Sequence, residues 1–479
     1  MASFNLGKLF IAHAVGVVAL LGVAPTNASD VQEGNRSRAT IPGTFTETGQ
    51  MTTARSLHTS TLLADGRILV AGGAGAGGES ATILSSAEIY YPVKKRFIAT
   101  HSMSTPRTGA AAVRLPDGRV FMAGGEDNSH IAIRSVELYN PSNGRWTLTS
   151  PMQVARVNPT ATLLQNGKVL VVGGYSRDSD CCPLGSAEIY DPERGTFSST
   201  GSLRKPRRNH TATLLEDGRV LVAGGYDGLN GETSGDVNLN APELYDPRTG
   251  TFSDTGLMST ARRYPTATML LNGEVLLVGG YGFDSVVLSS ADLYSTKNAV
   301  FSPKGSMLTP RGRQTATRLV SGKVLVAGGY DDQQNAMASA ELYDPVSGAF
   351  SVTGSMATPR WRHAESRLPN GDVLITGGSD GTTAVASAEL YASDPAYPSP
   401  TVLLSAKVVK GNGSIISDPA GIECGSVCLY GFTKDMTVSL TALPALGASF
   451  AGWSGACRGS ELTCSVTLKA SKSVKARFN

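Results

Sequence analysis

Two segments of this sequence contain side chains that could bind or protonate a sugar. The seven candidates are Arg55, His58, Arg360, Trp361, Arg362, His363 and Glu365. Guanidinium groups bind carboxylates, and histidine or glutamate can exchange protons with a bound hydroxyl group. We predict a ligand site from these residues, with no catalytic residue assigned. The alternative is a hydrogen-bonded network that only joins neighbouring structural units.

Two of these candidates belong to larger series that recur along the chain. Arginine occurs at corresponding places as Arg55, Arg107, Arg156, Arg207, Arg262, Arg311 and Arg360. A matching series of acids comprises Glu88, Glu137, Glu188, Glu243, Asp292, Glu341 and Glu389. Because each repeat has one such arginine and one such acid, we predict one ion pair in every unit. The other interpretation is a ring of arginines that binds anionic sugars.

The elements that must position these residues form an internal repeat. Seven short apolar runs end in glycine pairs at 72–73, 124–125, 173–174, 224–225, 279–280, 328–329 and 377–378. Successive pairs lie 49 to 55 residues apart. In the unit from 207 to 256, residues 210–215, 220–223, 243–245 and 251–253 predict four strands, A to D, with tight turns after A and C. Such a four-stranded blade must stack on its neighbours to cover both faces, which predicts a β-propeller.

The two ends of the repeat region complement each other. Residues 43–49 read as a strand D with no A, B or C before it, whereas the last unit stops at strand C near Tyr391. We therefore predict an all-β, seven-bladed propeller over residues 41–391, in which the N-terminal strand completes the seventh blade and removes an exposed sheet edge. Tyrosines on strand C and aromatic residues on strand D predict the core between blades.

This region resembles the kelch group of the galactose-oxidase central-domain superfamily. The glycine pairs, the Tyr-Asp-Pro turns that begin at Tyr190, Tyr245 and Tyr343, and the Met-x-x-x-Arg segments carry the resemblance. That family includes copper radical oxidases, sugar-acid isomerases and binding modules, so fold alone does not assign function. The oxidases use a Tyr-His dipeptide and a histidine of the C-terminal domain, and this sequence has neither. We expect no copper, no other metal and no cofactor.

Residues 1–28 read as a secretory signal peptide, since Lys8 precedes an apolar run that ends at small residues. An uncleaved anchor is the alternative, and no later stretch is apolar enough to span a membrane. Residues 29–40 are polar, and we expect them to be flexible. With 42 basic and 39 acidic residues, the charge gives no indication of nucleic-acid binding.

A proline-rich linker at 392–401 predicts a separate C-terminal β domain over residues 402–479. The segments at 411–415, 418–424, 438–442, 450–455 and 474–478 resemble the bacterial repeat domain related to internalin B-repeats. Export favours disulfides, and short loops favour Cys424 with Cys428 and Cys457 with Cys464, among three possible pairings. A zinc site is the alternative. Cys181 and Cys182 form either a disulfide of adjacent residues or two thiols.

The expected function is that of a secreted, periplasmic or cell-surface protein. We expect a monomeric, non-catalytic propeller that binds a glycan or an extracellular protein on the face formed by the connections from D to A and from B to C. The ligand site is expected near the closure between the first and seventh blades. The alternatives are a sugar-active enzyme of the mutarotase or isomerase kind and a structural component of the envelope.

Overall fold

Nine four-stranded sheets make up the computed structural model, and seven of them are successive blades of a propeller. The structure describes residues 43–77, 81–176, 183–228, 238–393, 402–418, 422–424, 428–432, 434–445 and 447–479. The predicted signal peptide, the segment 29–40, most of the linker and Cys181 and Cys182 lie outside these residues. Among the described residues, no helix is both long and apolar enough to cross a membrane.

Each blade has its strands in the order A, B, C, D, and every neighbouring pair is antiparallel. Blade 1 consists of Thr59–Leu62, Ile68–Ala71, Ala87–Tyr91 and Arg96–Thr100. Blade 2 consists of Ala111–Arg114, Val120–Ala123, Val136–Asn140 and Arg145–Leu148. Blade 3 consists of Thr160–Leu163, Val169–Val172, Ala187–Asp191 and Thr196–Ser199. Blade 4 consists of Thr211–Leu214, Val220–Ala223, Glu243–Asp246 and Thr251–Asp254.

The remaining blades follow the same plan. Blade 5 consists of Thr266–Met269, Val275–Val278, Ser290–Ser295 and Val300–Ser306. Blade 6 consists of Thr315–Arg318, Val324–Ala327, Ala340–Asp344 and Ala349–Val352. Blade 7 consists of Ala364–Arg367, Val373–Thr376, Ala388–Tyr391 and, from the other end of the chain, Phe45–Glu47.

The N-terminal strand completes blade 7, as predicted. Phe45 pairs with Tyr391 and Glu47 with Glu389 in an antiparallel register. The rings of Phe45 and Tyr391 lie 4.9 Å apart, which repeats the pairing of aromatic residues on strands C and D in the other blades. Because this strand comes from the start of the chain, it joins both ends of the repeat region in one sheet.

Strand B is almost entirely apolar because neighbouring blades cover both of its faces. In blade 4, all four residues from Val220 to Ala223 are buried. The glycine pair after it touches the next blade: the N–H group of Gly225 donates to the carbonyl oxygen of Arg262 at 2.9 Å. A Cβ atom on Gly224 would lie 2.8 Å from that same oxygen, so no side chain fits there.

Tyrosines on strand C join each blade to the one before it. The Tyr245 hydroxyl lies 2.8 Å from the Thr200 hydroxyl at the end of the preceding strand D. The corresponding pair at the ring closure is Tyr90 with Thr48, at 2.7 Å. These rings are buried, and they confirm the prediction of a core of aromatic residues between blades.

The C-terminal domain consists of two further sheets. One contains Leu429–Phe432, Val402–Lys410, Lys472–Phe478 and Phe450–Gly455, and the other contains Glu423–Cys424, Gly413–Asp418, Thr437–Pro444 and Thr463–Thr467. Disulfides join Cys424 to Cys428 and Cys457 to Cys464, which are the two predicted pairings. These cysteines are therefore not zinc ligands.

The C-terminal domain lies against the A-to-B turns of the propeller. The Gly431 N–H group donates to the carbonyl oxygen of Pro369 in blade 7 at 2.7 Å. Val320 of blade 6 is part of the apolar core of this domain. The domain therefore packs on the face of the propeller opposite to the connections from D to A, and it leaves those connections accessible.

Candidate functional site

The recurring arginines and acids form one buried clamp in each blade. In blade 3, the Arg156 guanidinium lies 3.0 Å from the Glu188 carboxylate and also donates to the carbonyl oxygens of Gly173 and Ser186. Glu188 in turn accepts hydrogen bonds from two backbone N–H groups of the D-to-A connection. All seven pairs are present, with N–O distances from 2.6 to 3.0 Å. The clamp thus joins the D-to-A connection to strand C.

This geometry corrects one interpretation of the arginine series. The side chains of Arg55 and Arg360, like those of the other five, have no accessible surface. A guanidinium group that is enclosed and bonded within its own blade cannot contact a sugar. The ring of clamp arginines is therefore structural, and these two candidates support the D-to-A connections from behind.

The candidate histidines also join neighbouring blades. His58 and His363 are buried, and their Nε2 atoms lie 2.9 Å from the Thr376 hydroxyl and 2.8 Å from the Thr315 hydroxyl, respectively. His210 contacts Thr160 in the same way at 3.0 Å. Burial, together with the nearby Arg360 guanidinium, lowers the pKa of His363 to about 3. These imidazoles are therefore neutral at physiological pH and serve as contacts between blades.

Glu365 lies at the interface between blades 6 and 7. It interacts with the hydroxyls of Thr315 and Thr317, which belong to strand A of blade 6. One of its carboxyl oxygens is buried without a hydrogen-bond partner among the described residues. Burial raises the pKa of Glu365 from 4.5 to about 7, because the carboxylate loses more solvation than the two threonines replace.

Substituting Glu365 with glutamine should stabilise the protein at alkaline pH. An acid whose pKa is higher in the folded than in the unfolded protein makes the folded state less stable as pH rises. For Glu365 this loss occurs between pH 4.5 and about pH 7. The free energy of unfolding of the variant should therefore exceed that of the wild type by about 3 kcal/mol at pH 8, and by less than about 0.5 kcal/mol near pH 4.5. Urea unfolding at both pH values measures this. A wild-type-like pH dependence in the variant would contradict the assignment.

A cavity of about 400 Å³ opens on the face formed by the connections from D to A and from B to C. We call it the cup. Its lining comes from blades 3 to 7 and consists of Asn158, Tyr175, Arg208, Asn209, Tyr226, Arg263, Tyr264, Tyr281, Arg313, Tyr330, Trp361 and Arg362. These positions follow either the clamp arginine or the glycine pair of their repeat. In blades 1 and 2 the same positions hold Ser56, Leu57, Ala74, Thr108, Gly109 and Glu126.

Arginines and aromatic rings alternate around the cup. The Arg208 guanidinium lies 5.1 Å from the Tyr175 ring centre and 5.0 Å from that of Tyr226, which Arg263 also contacts at 5.4 Å. On the other side, Arg313 and Arg362 lie 5.3 and 4.0 Å from the ring of Trp361. Cation–π contacts hold such guanidinium groups in place and leave their N–H edges available to a ligand.

One backbone position directs part of this lining towards the axis. The second residue after each clamp arginine has a positive φ, and these residues are Leu57, Gly109, Asn158, Asn209, Tyr264, Arg313 and Arg362. Several neighbours in this series are hydrogen-bonded through the backbone, for example Leu57 N–H to Arg362 O at 3.0 Å across the ring closure. The left-handed conformation costs a residue with a side chain about 1 kcal/mol. Tyr264, Arg313 and Arg362 keep large side chains there despite that cost.

Of the seven predicted site residues, the structure brings Trp361 and Arg362 into the cup. The other five lie at blade interfaces or in clamps. Sequence reasoning missed the remaining lining residues, although a signal existed. Tyrosine follows the glycine pair in four successive repeats, at Tyr175, Tyr226, Tyr281 and Tyr330, and not in the other three.

The lining of the cup does not suit a metal cation. It supplies four guanidinium groups and no imidazole, carboxylate or thiolate. Among the described residues, no group of three or more histidines, cysteines or acids could hold a metal ion. The positive charge of the lining instead favours an anion.

Comparison with known proteins supports the architecture. The Kelch motif matches residues 106–153, 157–204 and 311–357, and a divergent InlB B-repeat domain matches residues 423–479. A kelch repeat and BTB domain-containing protein 12 of Danio rerio is 29% identical over 103 residues. That match covers 21% of this chain and only 16% of the relative.

A solved structure shares the fold. It is described as a novel fungal alcohol oxidase with catalytic diversity among the AA5 family, in complex with copper. The TM-score is 0.59 at 17% identity, over 88% of this chain and 98% of the other. Kelch repeats are typical of propellers that bind other proteins. The chain thus contains Kelch motifs within a seven-bladed β-propeller, and its C-terminal β domain contains a match to the divergent InlB B-repeat domain.

Proposed function

We propose that this chain is an exported, non-catalytic binding protein that uses the cup to capture an anionic ligand, either a glycan or a protein. One observation carries the proposal. Four arginines, Arg208, Arg263, Arg313 and Arg362, are stacked on aromatic rings, and none has a carboxylate within ion-pair distance among the described residues. Such a cluster gains its counter-charge from a ligand.

The distribution of residue types supports a binding role rather than a packing role. The clamp, the glycine pair and the tyrosines of strand C stabilise the blades and the contacts between them, and these features recur in almost every repeat. Arginine and aromatic residues instead occur at the cup positions of blades 4 to 7, and at none of the corresponding positions in blades 1 and 2. An unequal distribution within a near-symmetric ring is expected where a ligand without that symmetry is bound.

The cysteines support export. The two disulfides of the C-terminal domain are typical of oxidising compartments outside the cytoplasm. The residues read as a signal peptide agree with this location. In the proposal the C-terminal domain serves as a spacer or accessory contact, since it packs on the face away from the cup.

Loss of Trp361 tests the proposal directly. The mature chain, residues 29–479, would be applied to a glycan array and to a peptide array. We expect Trp361→Ala to weaken binding of the captured ligand by about tenfold or more, because this ring supports both Arg313 and Arg362. Glu365→Gln is the matched control, since Glu365 lies outside the lining. A ligand that binds Trp361→Ala and the wild type equally would place recognition elsewhere.

A further inference from the structure

We infer that the partner is a protein, and that it inserts an acidic polypeptide segment into the cup while its apolar side chains pack on the rim. This inference rests on the proposed function and names the class of ligand. It depends on three features: cup arginines with no carboxylate partner among the described residues, covered aromatic faces, and an exposed apolar loop beside Arg263.

The charge of the cup differs from that of other arginines on the surface. Arg67, Arg119, Arg219 and Arg248 each pair with an aspartate two residues earlier, at 2.6 to 2.7 Å. The four cup arginines have no such partner among the described residues. The acid that the Tyr175 hydroxyl contacts, Glu126, is already paired with His130 at 2.6 Å. In the described part of the chain, no carboxylate neutralises these four arginines, and an acidic ligand would supply that charge.

These arginines also repel one another, which favours a ligand with several negative charges. Burial and the neighbouring Arg313 lower the pKa of Arg362 to about 10. The Nε atoms of Arg208 and Arg362 are buried and have no hydrogen-bond partner in the described part of the chain. A single carboxylate would leave most of this charge uncompensated, whereas a run of aspartates or glutamates can reach several guanidinium groups.

The aromatic faces offer little room for a sugar to stack. Trp361 is contacted by Arg313, Arg362 and, at 4.8 Å between ring centres, by Tyr330. The Tyr226 ring has arginines at 5.0 and 5.4 Å. The N–H edges of the four guanidinium groups in the lining are suited to binding carboxylates in a bidentate manner. Recognition through these edges requires charge and does not require a pyranose ring.

The rim provides an apolar surface that a protein can cover. Phe283 is 72% exposed and Val286 59% exposed, in the loop that directly follows Tyr281 of the cup. The Arg263 guanidinium donates to the Ser285 hydroxyl at 2.6 Å, and Gly282 N–H donates to Val286 O at 2.8 Å, so the loop is fixed beside the cup. Burying these side chains against apolar residues is favourable by about 25 cal/mol per Å². An acidic polysaccharide carries no apolar side chain to bury there.

Selection from a random peptide library tests the inference. A displayed library of 16-residue peptides would be selected on the mature chain, and the selected peptides titrated alongside an oligogalacturonate of similar charge. We expect enrichment of peptides that combine several acids with a leucine or phenylalanine. Arg263→Gln with Arg313→Gln should weaken their binding by about thirtyfold or more, and Phe283→Ser by about fivefold.

The controls separate the ligand class from the existence of the site. Arg145→Gln, at the start of strand D in blade 2, with Arg194→Gln, in a C-to-D turn, removes the same charge from exposed positions and should change affinity less than about twofold. Oligogalacturonate that binds as tightly as the selected peptides, with no effect of Phe283→Ser, would overturn the inference and leave the proposed cup site standing. Selection of peptides without acidic residues, or of none, would also overturn it.

Discussion

Replacing Arg156 with methionine is expected to destabilise the propeller by about 3 to 5 kcal/mol. The substitution leaves the Glu188 carboxylate buried without its cation, and it removes the hydrogen bonds to the carbonyl oxygens of Gly173 and Ser186. Both side chains are almost completely buried, so water cannot replace the lost partner. Urea unfolding of the mature chain measures the loss of free energy.

A double variant shows whether the charge left behind causes the loss. Arg156→Met combined with Glu188→Leu removes both charges, and it should recover at least half of the stability lost in the single variant. Arg145→Met is the matched control at an exposed arginine and should have little effect. A loss below about 1 kcal/mol in Arg156→Met would show that the clamp contributes little to stability.

Removing residues 41–49 is expected to abolish cooperative folding. Without Phe45–Glu47, strand C of blade 7 becomes an exposed edge, and Tyr90 loses the Thr48 hydroxyl at the ring closure. An unpaired strand edge also promotes aggregation. Differential scanning calorimetry should show no sharp transition for this variant, whereas removal of residues 29–40 should leave the melt unchanged.

A peptide added in trans makes this test more specific. If the missing strand causes the loss, a synthetic peptide of residues 41–49 should restore a cooperative melt at high peptide concentration. The same peptide with Phe45→Ala should restore it less, because Phe45 packs on Tyr391 at 4.9 Å between ring centres. A melt like that of the full-length chain in the deletion variant itself would show that the strand is dispensable for closure.

The sequence alone determined the blades, the closure and the core of this protein. Each unit of four strands is encoded within about fifty residues, so turns, glycine pairs and aromatic positions repeat where they can be compared. The incomplete unit at each end indicated how the ring closes. The clamp could be predicted for the same reason, since all seven repeats have an arginine at the position of Arg156 and an acid at the position of Glu188. A feature that every repeat carries is determined by local packing, and its role can be read from one unit.

Only the tertiary structure decided which polar residues line the cup. The cup takes two or three side chains from each of five blades, and residues such as Arg208 and Tyr281 look ordinary within their own repeats. Closure of the ring brings them together, and the left-handed backbone turns Arg313 inward. The sequence likewise did not show that His363 and Glu365 are enclosed between blades, because the same strand residue faces either a neighbour or the axis according to how the sheets pack. Burial at these interfaces changes what their side chains can do, and burial is a property of the assembled ring.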